Sequence, residues 1–391
     1  METPPWENSE LVRFVDEAVE RKTDHLKLAE SLAKGPFAKW RGQILDYIAL
    51  VPKYRKKFRT EAFLVCDKLA LEQSTAADIG TYKAKLFPST GKIDDLCCGM
   101  GGDSFFLPKT ATVRGYDLSP ERIAMYRFNT KAMGTERSAE IGDVRKIENR
   151  GEYFTIDSAR REVLGDNQRN FSELAPSLSE ILEIAKQYRG GMAKLPPGYP
   201  TSEFPADAET VYLGSRSDCR ECLVLFGELA KHPGKIRAVA VDEKNDFLEW
   251  NSTELKISEL PVGTLGEFIA EPIPVLVRSH LFPEIAVKSS PDARLISPGI
   301  AYVASSAPLD PSAFRNYRIL GSAPISTGKV KSLLKAHDIG KITLKKRGVE
   351  IVPEAEIKRL SPKGSQEAVL FYTRAKGEKT AILAVPVKGK I

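Results

Sequence analysis

Apolar residues recur at three- and four-residue spacing through the first 75 positions, in "LVRFVDEAVER", "HLKLAESLAK", "WRGQILDYIALVPKYRKKF" and "FLVCDKLALEQST", without strand-like alternation. This pattern predicts a helical N-terminal region over 1–78. Near residue 90 the texture changes. Short apolar runs ("IDDLCC", "ATVRGYDL", "SAEIGDV", "YFTIDSA", "GGMAKLPPG", "ETVYLGS") alternate with helical stretches such as "SPERIAMYRFNTKAMG" and "SLSEILEIAKQY". Ser119 is a good N-cap, Pro120 suits the first helical position and Gly134 stands near the C-cap. Strands and helices in alternation predict a doubly wound, Rossmann-like α/β sheet over 79–310. "ECLVLFGEL" reads as an apolar helical run beginning at Cys222, "EPIPVLVRSHLFPEIA" as one helix and "GIAYVASS" as one strand. From 311 to 391 a smaller α/β pattern follows, long enough for a compact module.

Composition narrows the class. A chain of 391 residues exceeds what one core usually holds, and 42% hydrophobic with 28% charged residues is a folded-protein balance. No run approaches the length of a membrane span, and "METPPWENSELVRF" is acidic without an apolar stretch. Five cysteines, an odd number, suggest no disulfide framework. The expectation is a cytoplasmic protein without membrane contact. Cys219 and Cys222 form a lone C-x-x-C beside only four histidines, so no metal is expected. Nothing in the pattern sets an oligomeric state.

The candidate chemistry lies in "DDLCCGMGGDS", residues 94–104. An acid at a strand end followed by a glycine turn and a helix is the first βα crevice of a doubly wound sheet. Gly99, Gly101 and Gly102 would let the backbone approach a ligand closely. A P-loop needs Lys-Ser/Thr after its last glycine, whereas Asp103-Ser104 follows here and would repel phosphate. The dinucleotide fingerprint lacks its last glycine. Asp95 before the turn suits a cationic or amino-bearing ligand. Asp117 closes the second strand 22 residues later, where such a sheet places the acid for ribose hydroxyls, and Asp143 closes the third. Three successive strands ending in acids fit a nucleoside with an amino group and no phosphate.

On these residues the chain resembles the class I S-adenosylmethionine-dependent methyltransferases. "DLCCGMGGD" is similar to their first motif, with Cys97 where many members have glycine, a replacement also found in the trimethylguanosine-synthase type. The resemblance implies that Asp95, Cys97, Gly99, Gly101 and Gly102 hold the methionine end of S-adenosyl-L-methionine, Asp117 with Leu118 the ribose, and Asp143 with Val144 the adenine. "LALEQST", "DSARR", "LAPSL", "MAKLPPG", "EPIPVLVRSHLF", "GIAYVAS" and "LKKRGVEI" extend the likeness to bacterial methyltransferases with a helical N-terminal region and a C-terminal THUMP-like domain.

The fourth strand ends in "TIDSARR". Amino-methyltransferases carry an Asn/Asp-Pro-Pro-aromatic loop there, which aligns an exocyclic amine by positioning alone. Asp157 is retained and the prolines and aromatic are absent; Ser158 departs even from the closer Asp-Pro-Ala-Arg-Arg pattern. Asp157 is the candidate nearest the acceptor, with Arg160 and Arg161 as holders of a phosphate or carboxylate, or as plain ion-pair formers. Carbon methylation through a thiolate would draw on Cys219. "PKYRKKFR" carries Lys53, Arg55, Lys56, Lys57 and Arg59 with Tyr54 and Phe58 interleaved. Residues 341–391, including Lys345, Lys346 and Arg347, hold 12 Lys/Arg against 5 Glu, a surplus of 7 that exceeds the net +6 of the whole chain. Such concentration is the footprint of a nucleic-acid binder or an ordinary solvated face. With the THUMP-like resemblance, the leading expectation is an RNA methyltransferase acting on a base. A methyltransferase of small molecules or proteins, and a non-catalytic RNA-associated protein, remain alternatives.

Overall fold

The computed structural model describes residues 4–160, 174–242, 244, 246–253, 257 and 259–387. The chain divides into two compact units, residues 1–210 with 222–234, and residues 211–221 with 235–391.

The first unit opens with helices α1 (Ser9–Glu20), α2 (His25–Lys34), α3 (Arg41–Ile48), α4 (Val51–Phe58), α5 (Lys68–Gln73) and α6 (Ala77–Ala84). The side chains of Asn8 and Asp24 accept from the first free N–H groups of α1 and α2. The stretch expected as one helix over 40–58 is broken between α3 and α4, where Pro52 has no N–H to continue the ladder. "FLVCDKLALEQST" is helical only from Lys68, because the Asp67 carboxylate caps the helix there by accepting from Ala70 N–H at 2.8 Å. Leu11, Val15, Ile44, Val51, Tyr54 and Phe58 build a core that also takes in Met100 and Phe105.

The sheet of this unit follows: β1 (Lys92–Leu96), β2 (Thr112–Asp117), α7 (Pro120–Ala132), β3 (Ser138–Ile141), β4 (Tyr153–Asp157), the short β5 (Ala159–Arg160) and β6 (Leu174–Ala175), α8 (Leu178–Ala185), β7 (Gly190–Leu195) and, after β8 (Glu209–Ser215), most of which belongs to the second unit, β9 (Cys219–Gly227). The strand order is β9-β7-β4-β1-β2-β3. Neighbours from β7 to β3 are parallel, and β9 runs antiparallel to β7. Strand order reverses between β1 and β4, so the ligand crevice of such a sheet lies beyond their carboxyl ends. At α7 the Ser119 hydroxyl accepts from Arg122 N–H and Pro120 takes the first position, as the sequence implies.

Two local expectations fail. Residues 219–227 form β9 rather than a helix beginning at Cys222; the run is apolar because both faces of the strand are buried, a pattern that periodicity cannot separate from a buried helix. No helix follows the glycines: one turn closes when Phe105 N–H bonds Gly101 C=O, and Pro108 stops it.

In the second unit come β10 (Ile236–Val241), β11 (Phe247–Asn251), β12 (Phe268–Pro272), α9 (Pro274–Arg278), α10 (Phe282–Ser289), β13 (Arg294–Leu295), β14 (Val303–Ser305), β15 (Phe314–Pro324), α11 (Thr327–Ala336), β16 (Ile339–Lys346), α12 (Pro353–Leu360), β17 (Gln366–Ala375) and β18 (Glu378–Pro386). "EPIPVLVRSHLFPEIA" holds two helices, separated where His280 turns to φ +58°. β12–β14, before residue 311, join the later strands in one seven-stranded sheet ordered β13-β14-β12-β15-β18-β17-β16. Lys345 Nζ donates to Glu271 across three intervening strands. A flat sheet would hold those two strands about 19 Å apart, so this sheet is strongly coiled. Its inner face packs Ile269, Tyr302, Tyr317 and Phe371, and its outer face lies under α11 and α12. No helix among the described residues is long and apolar enough to cross a membrane.

Candidate active site

The crevice beyond β1 and β4 is built on the turn that follows Leu96. Cys97 takes φ +62° and Gly99 φ +53°; a Cβ on Gly99 would meet open space. Gly101 and Gly102 are small for a different reason than ligand approach. A Cβ at Gly101, which has φ +98°, would come within 2.9 Å of Phe105, and one at Gly102 within 2.9 Å of Ser74. The turn is therefore pressed against the segment joining α5 to α6. Asp117 fixes its other side, accepting from Gly99 N–H at 3.1 Å and Ser119 N–H at 2.9 Å.

Asp95 is buried and accepts from the Ser104 hydroxyl at 2.6 Å, which lies 2.8 Å from the Tyr126 hydroxyl. Its carboxylate thus secures the turn from beneath. Burial, reinforced by nearby Asp103, pushes its pKa up to about 8. Since the unfolded value is near 3.9, this group's contribution to stability is fully present below about pH 4 and is lost as pH rises through about 8. Asp95→Asn is expected to raise the melting temperature more at pH 8.5 than at pH 5, and equal shifts at both would refute the assignment.

Asp103 accepts from Lys83 Nζ through both carboxylate oxygens at 2.7 Å, with Lys83 only 2% exposed. Burial opposes the charge of Asp103, but Lys83 and Lys194 outweigh it and hold the carboxyl below its ordinary range. The next acid is Asp157 at the end of β4. Register places it opposite Lys194 of β7, whose Nζ donates at 2.6 Å, with side chains 33% and 18% exposed. Burial raises the Asp157 pKa against the pull of Lys194. Beside it the Ser158 hydroxyl is buried with no partner among the described residues.

Asp143 lies two residues beyond β3 and is gripped by Arg145 through both oxygens, which lowers its pKa to about 2. Val144 is buried, whereas Leu118 and Ile141 are 69% and 59% exposed, apolar side chains at the mouths of β2 and β3. Cys97 reports the field of the whole crevice. Burial raises its thiol pKa first, and Asp117, Asp157, Asp95 and Asp143 each raise it further.

Other sequence candidates are placed differently. Arg160 contributes its backbone to β5, paired with β6, and Arg161 lies outside the described residues. Tyr54 and Phe58 are 0% and 2% exposed and belong to the helical core, so they offer no stacking surface between the lysines of α4. Lys53 and Lys56 are exposed, but Arg55 donates to Asp16 at 2.8 Å. Lys345 and Arg347 pair with Glu271, and Lys346 donates to Ile351 C=O at 2.6 Å. Cys219 stands on a strand, and burial pushes its thiol up to about 12, against the thiolate that carbon methylation would need. No group of three or more His, Cys, Asp or Glu able to hold a metal occurs among the described residues. Lys194 and Lys83 were missed by the sequence reading. For Lys194 a signal existed, since it closes the strand after the one ending in Asp157.

The comparisons agree with this architecture. Residues 314–386 match the family model described as THUMP domain-like. An uncharacterized S-adenosylmethionine-dependent methyltransferase of Mycobacterium tuberculosis strain H37Rv is 27% identical over 311 residues, 78% of this chain and 83% of the relative. The same figures hold for the counterpart in strain CDC 1551. A crystal structure of a "putative methyltransferase" from Porphyromonas gingivalis W83 superposes with a TM-score of 0.78 and 20% identity, covering 100% of each chain, which shows a shared fold. The strand order, the acid-lined turn and these relatives together support a class I S-adenosylmethionine-dependent methyltransferase with a C-terminal THUMP-like domain.

Proposed function

We propose that the protein methylates RNA. The crevice of the first unit holds the cofactor, Asp157 positions the acceptor, and the THUMP-like region with the basic residues of α4 and β16 docks the RNA. The observation that supports the RNA part of this reading is the match of residues 314–386 to the THUMP domain-like model; in the crevice of the first unit, the Asp117 and Asp157 carboxylates give a negative field. A crevice with that field favours a cation and repels phosphate, which suits a sulfonium-bearing nucleoside. When bound, S-adenosylmethionine supplies an electrophilic methyl group. Asp117 takes the ribose hydroxyls, Asp143 and the backbone at Val144 the adenine edge, and exposed Leu118 and Ile141 the apolar faces of the base. Open space at Gly99 accommodates the amino-acid end.

On the acceptor side, the Asp157 carboxylate, held by Lys194, accepts an N–H of an exocyclic amine and turns its lone pair toward the methyl. That lone pair is delocalised into the base, so the carboxylate would both orient the amine and take the proton that nitrogen loses on gaining the methyl, the spent cofactor leaving as a neutral thioether. The buried hydroxyl of Ser158 offers a further polar contact where the amino-methyltransferase loop carries proline. That departure also supports a second reading, a cofactor-binding RNA-associated protein without turnover.

The test is transfer of labelled methyl from S-adenosylmethionine to total RNA from cells lacking this protein, with Asp157→Ala as control. Label in RNA only with the intact protein supports the reading, and nucleoside analysis names the atom. Cofactor binding without label in RNA moves the assignment to another substrate or to the non-catalytic reading. Asp117→Ala is expected to weaken S-adenosylmethionine binding by about 1.5–3 kcal/mol, because buried hydroxyls lose a charged acceptor. Unchanged affinity by calorimetry would mean that the ribose lies elsewhere.

A further inference from the structure

Within the second unit, three cations gather about one strand end. Glu271 on β12 faces Arg315 on β15 in direct antiparallel register, with the guanidinium 4.0 Å from the carboxylate. Coiling of the sheet brings Lys345 onto the same carboxylate, and Arg347 reaches it at 3.7 Å. Arg315 also donates to the Arg216 carbonyl at 2.9 Å, which ties it to the loop that carries Arg216. The neighbouring acid is Asp310, whose carboxylate is engaged by Ser312. Three cations on the single Glu271 carboxylate leave a local surplus of two positive charges.

Besides the one carboxylate they share, neutral groups fix the orientation of these cations. Arg347 donates to Ala301 C=O at 2.6 Å and lies 4.6 Å from the ring centre of buried Tyr302. The loop beside Arg315 is anchored in turn by Arg216, which donates to Ser312 C=O and Pro311 C=O, each at 2.7 Å. Lys345 stands 5.3 Å from the Tyr317 ring centre. Carbonyls and ring faces orient a guanidinium while its charge remains for another partner. The side chains of Arg315, Arg347 and Lys345 are 42%, 34% and 23% exposed, so that partner can reach them.

We propose that this patch docks the phosphate backbone of RNA, with Glu271 as the internal anion around which the cations are arranged. The inference rests on the RNA reading above and deepens it by naming a surface. Arranged guanidinium groups suit phosphate oxygens, and such contacts set the register of a nucleic acid without reading its bases. The cations come from β15, β16 and the residue just after it, so the surface exists only in the coiled sheet. The basic count of residues 341–391 by itself does not identify Arg315.

The experiment measures binding of the full chain to a fluorescein-labelled RNA stem-loop across a salt series. Arg315→Ala, Arg347→Ala and their double variant are compared with Lys341→Ala, which removes a lysine paired on the surface with Glu367. Each arginine variant is expected to weaken binding severalfold, and the double variant to reduce the slope of log affinity against log salt by about 1.5, from two lost phosphate contacts. Lys341→Ala should leave binding nearly as it was. Salt-sensitive binding that is unchanged in both single variants and in the double variant overturns the patch while leaving the RNA reading in place. Absence of RNA binding by the intact chain overturns both. Arg315 is half-exposed at the surface, so its single variant keeps the test valid if Arg347→Ala fails to fold. Stronger binding to polyglutamate or to anionic vesicles than to the stem-loop would assign the patch to a different polyanion and overturn the proposal.

Discussion

Lys83→Met is expected to destabilise the protein by about 3–5 kcal/mol, the usual cost of leaving one member of a buried ion pair alone. Lys83 and Asp103 are 2% and 9% exposed, and both carboxylate oxygens of Asp103 receive Nζ at 2.7 Å. Methionine fills the space of the lysine stem but leaves the carboxylate without that donor. Pairing Lys83→Met with Asp103→Asn should recover much of the loss, because the amide needs far less solvation than the carboxylate. Urea denaturation of the single and double variants reads the difference directly. A single variant within about 1 kcal/mol of the parent, inside the range of an exposed pair, would show that the pair is solvated in solution.

The second large effect belongs to the acceptor side. Asp157→Ala is expected to lower methyl transfer by about 100-fold or more, the scale of a misplaced acceptor, while cofactor affinity stays nearly intact. Lys194→Met should act in the same direction through Asp157, since Nζ at 2.6 Å both orients that carboxylate and favours its charged form. With Lys194 gone, burial raises the Asp157 carboxyl further, so activity should acquire an acidic limb at higher pH than in the parent. Lys194→Arg should restore part of the rate. Single-turnover transfer to the RNA identified by labelling, with calorimetry of the cofactor on the same variants, separates these outcomes. Turnover that survives Asp157→Ala assigns acceptor positioning to another residue.

The sequence revealed what local pattern encodes. Alternating strands and helices, the capped entry into α7 at Ser119-Pro120, and three strand-end acids at Asp95, Asp117 and Asp143 were readable because each depends on neighbours a few residues away. Contacts between distant segments left no such trace. Lys83 and Asp103 are twenty positions apart, and Ser74 reaches Gly102 only after the helical region folds back on the sheet. β9 was misread because a strand buried on both faces has no period to betray it. The glycines carried a subtler lesson: all three looked like room for a ligand, yet only Gly99 opens to space, whereas Gly101 and Gly102 make room for Phe105 and Ser74. Likewise, Tyr54 and Phe58 among the lysines of α4 resembled a stacking surface, but helical spacing turns both into the core.

Asn129 of α7 has a wider consequence. It is fully buried, accepts from Val65 N–H at 2.7 Å, and donates to Val65 C=O at 2.9 Å and Met100 C=O at 3.1 Å. One amide therefore binds the approach to α5, the glycine turn and α7 into a single knot. The N-terminal helices and the turn should melt cooperatively, with amide-exchange protection shared among Val65, Met100 and the centre of α7. A chain cut at residue 78 would keep every residue of "DLCCGMGGD" and still lose the scaffold that holds it in shape. The shape of the glycine turn is thus a property of two distant stretches of chain, joined through one buried amide.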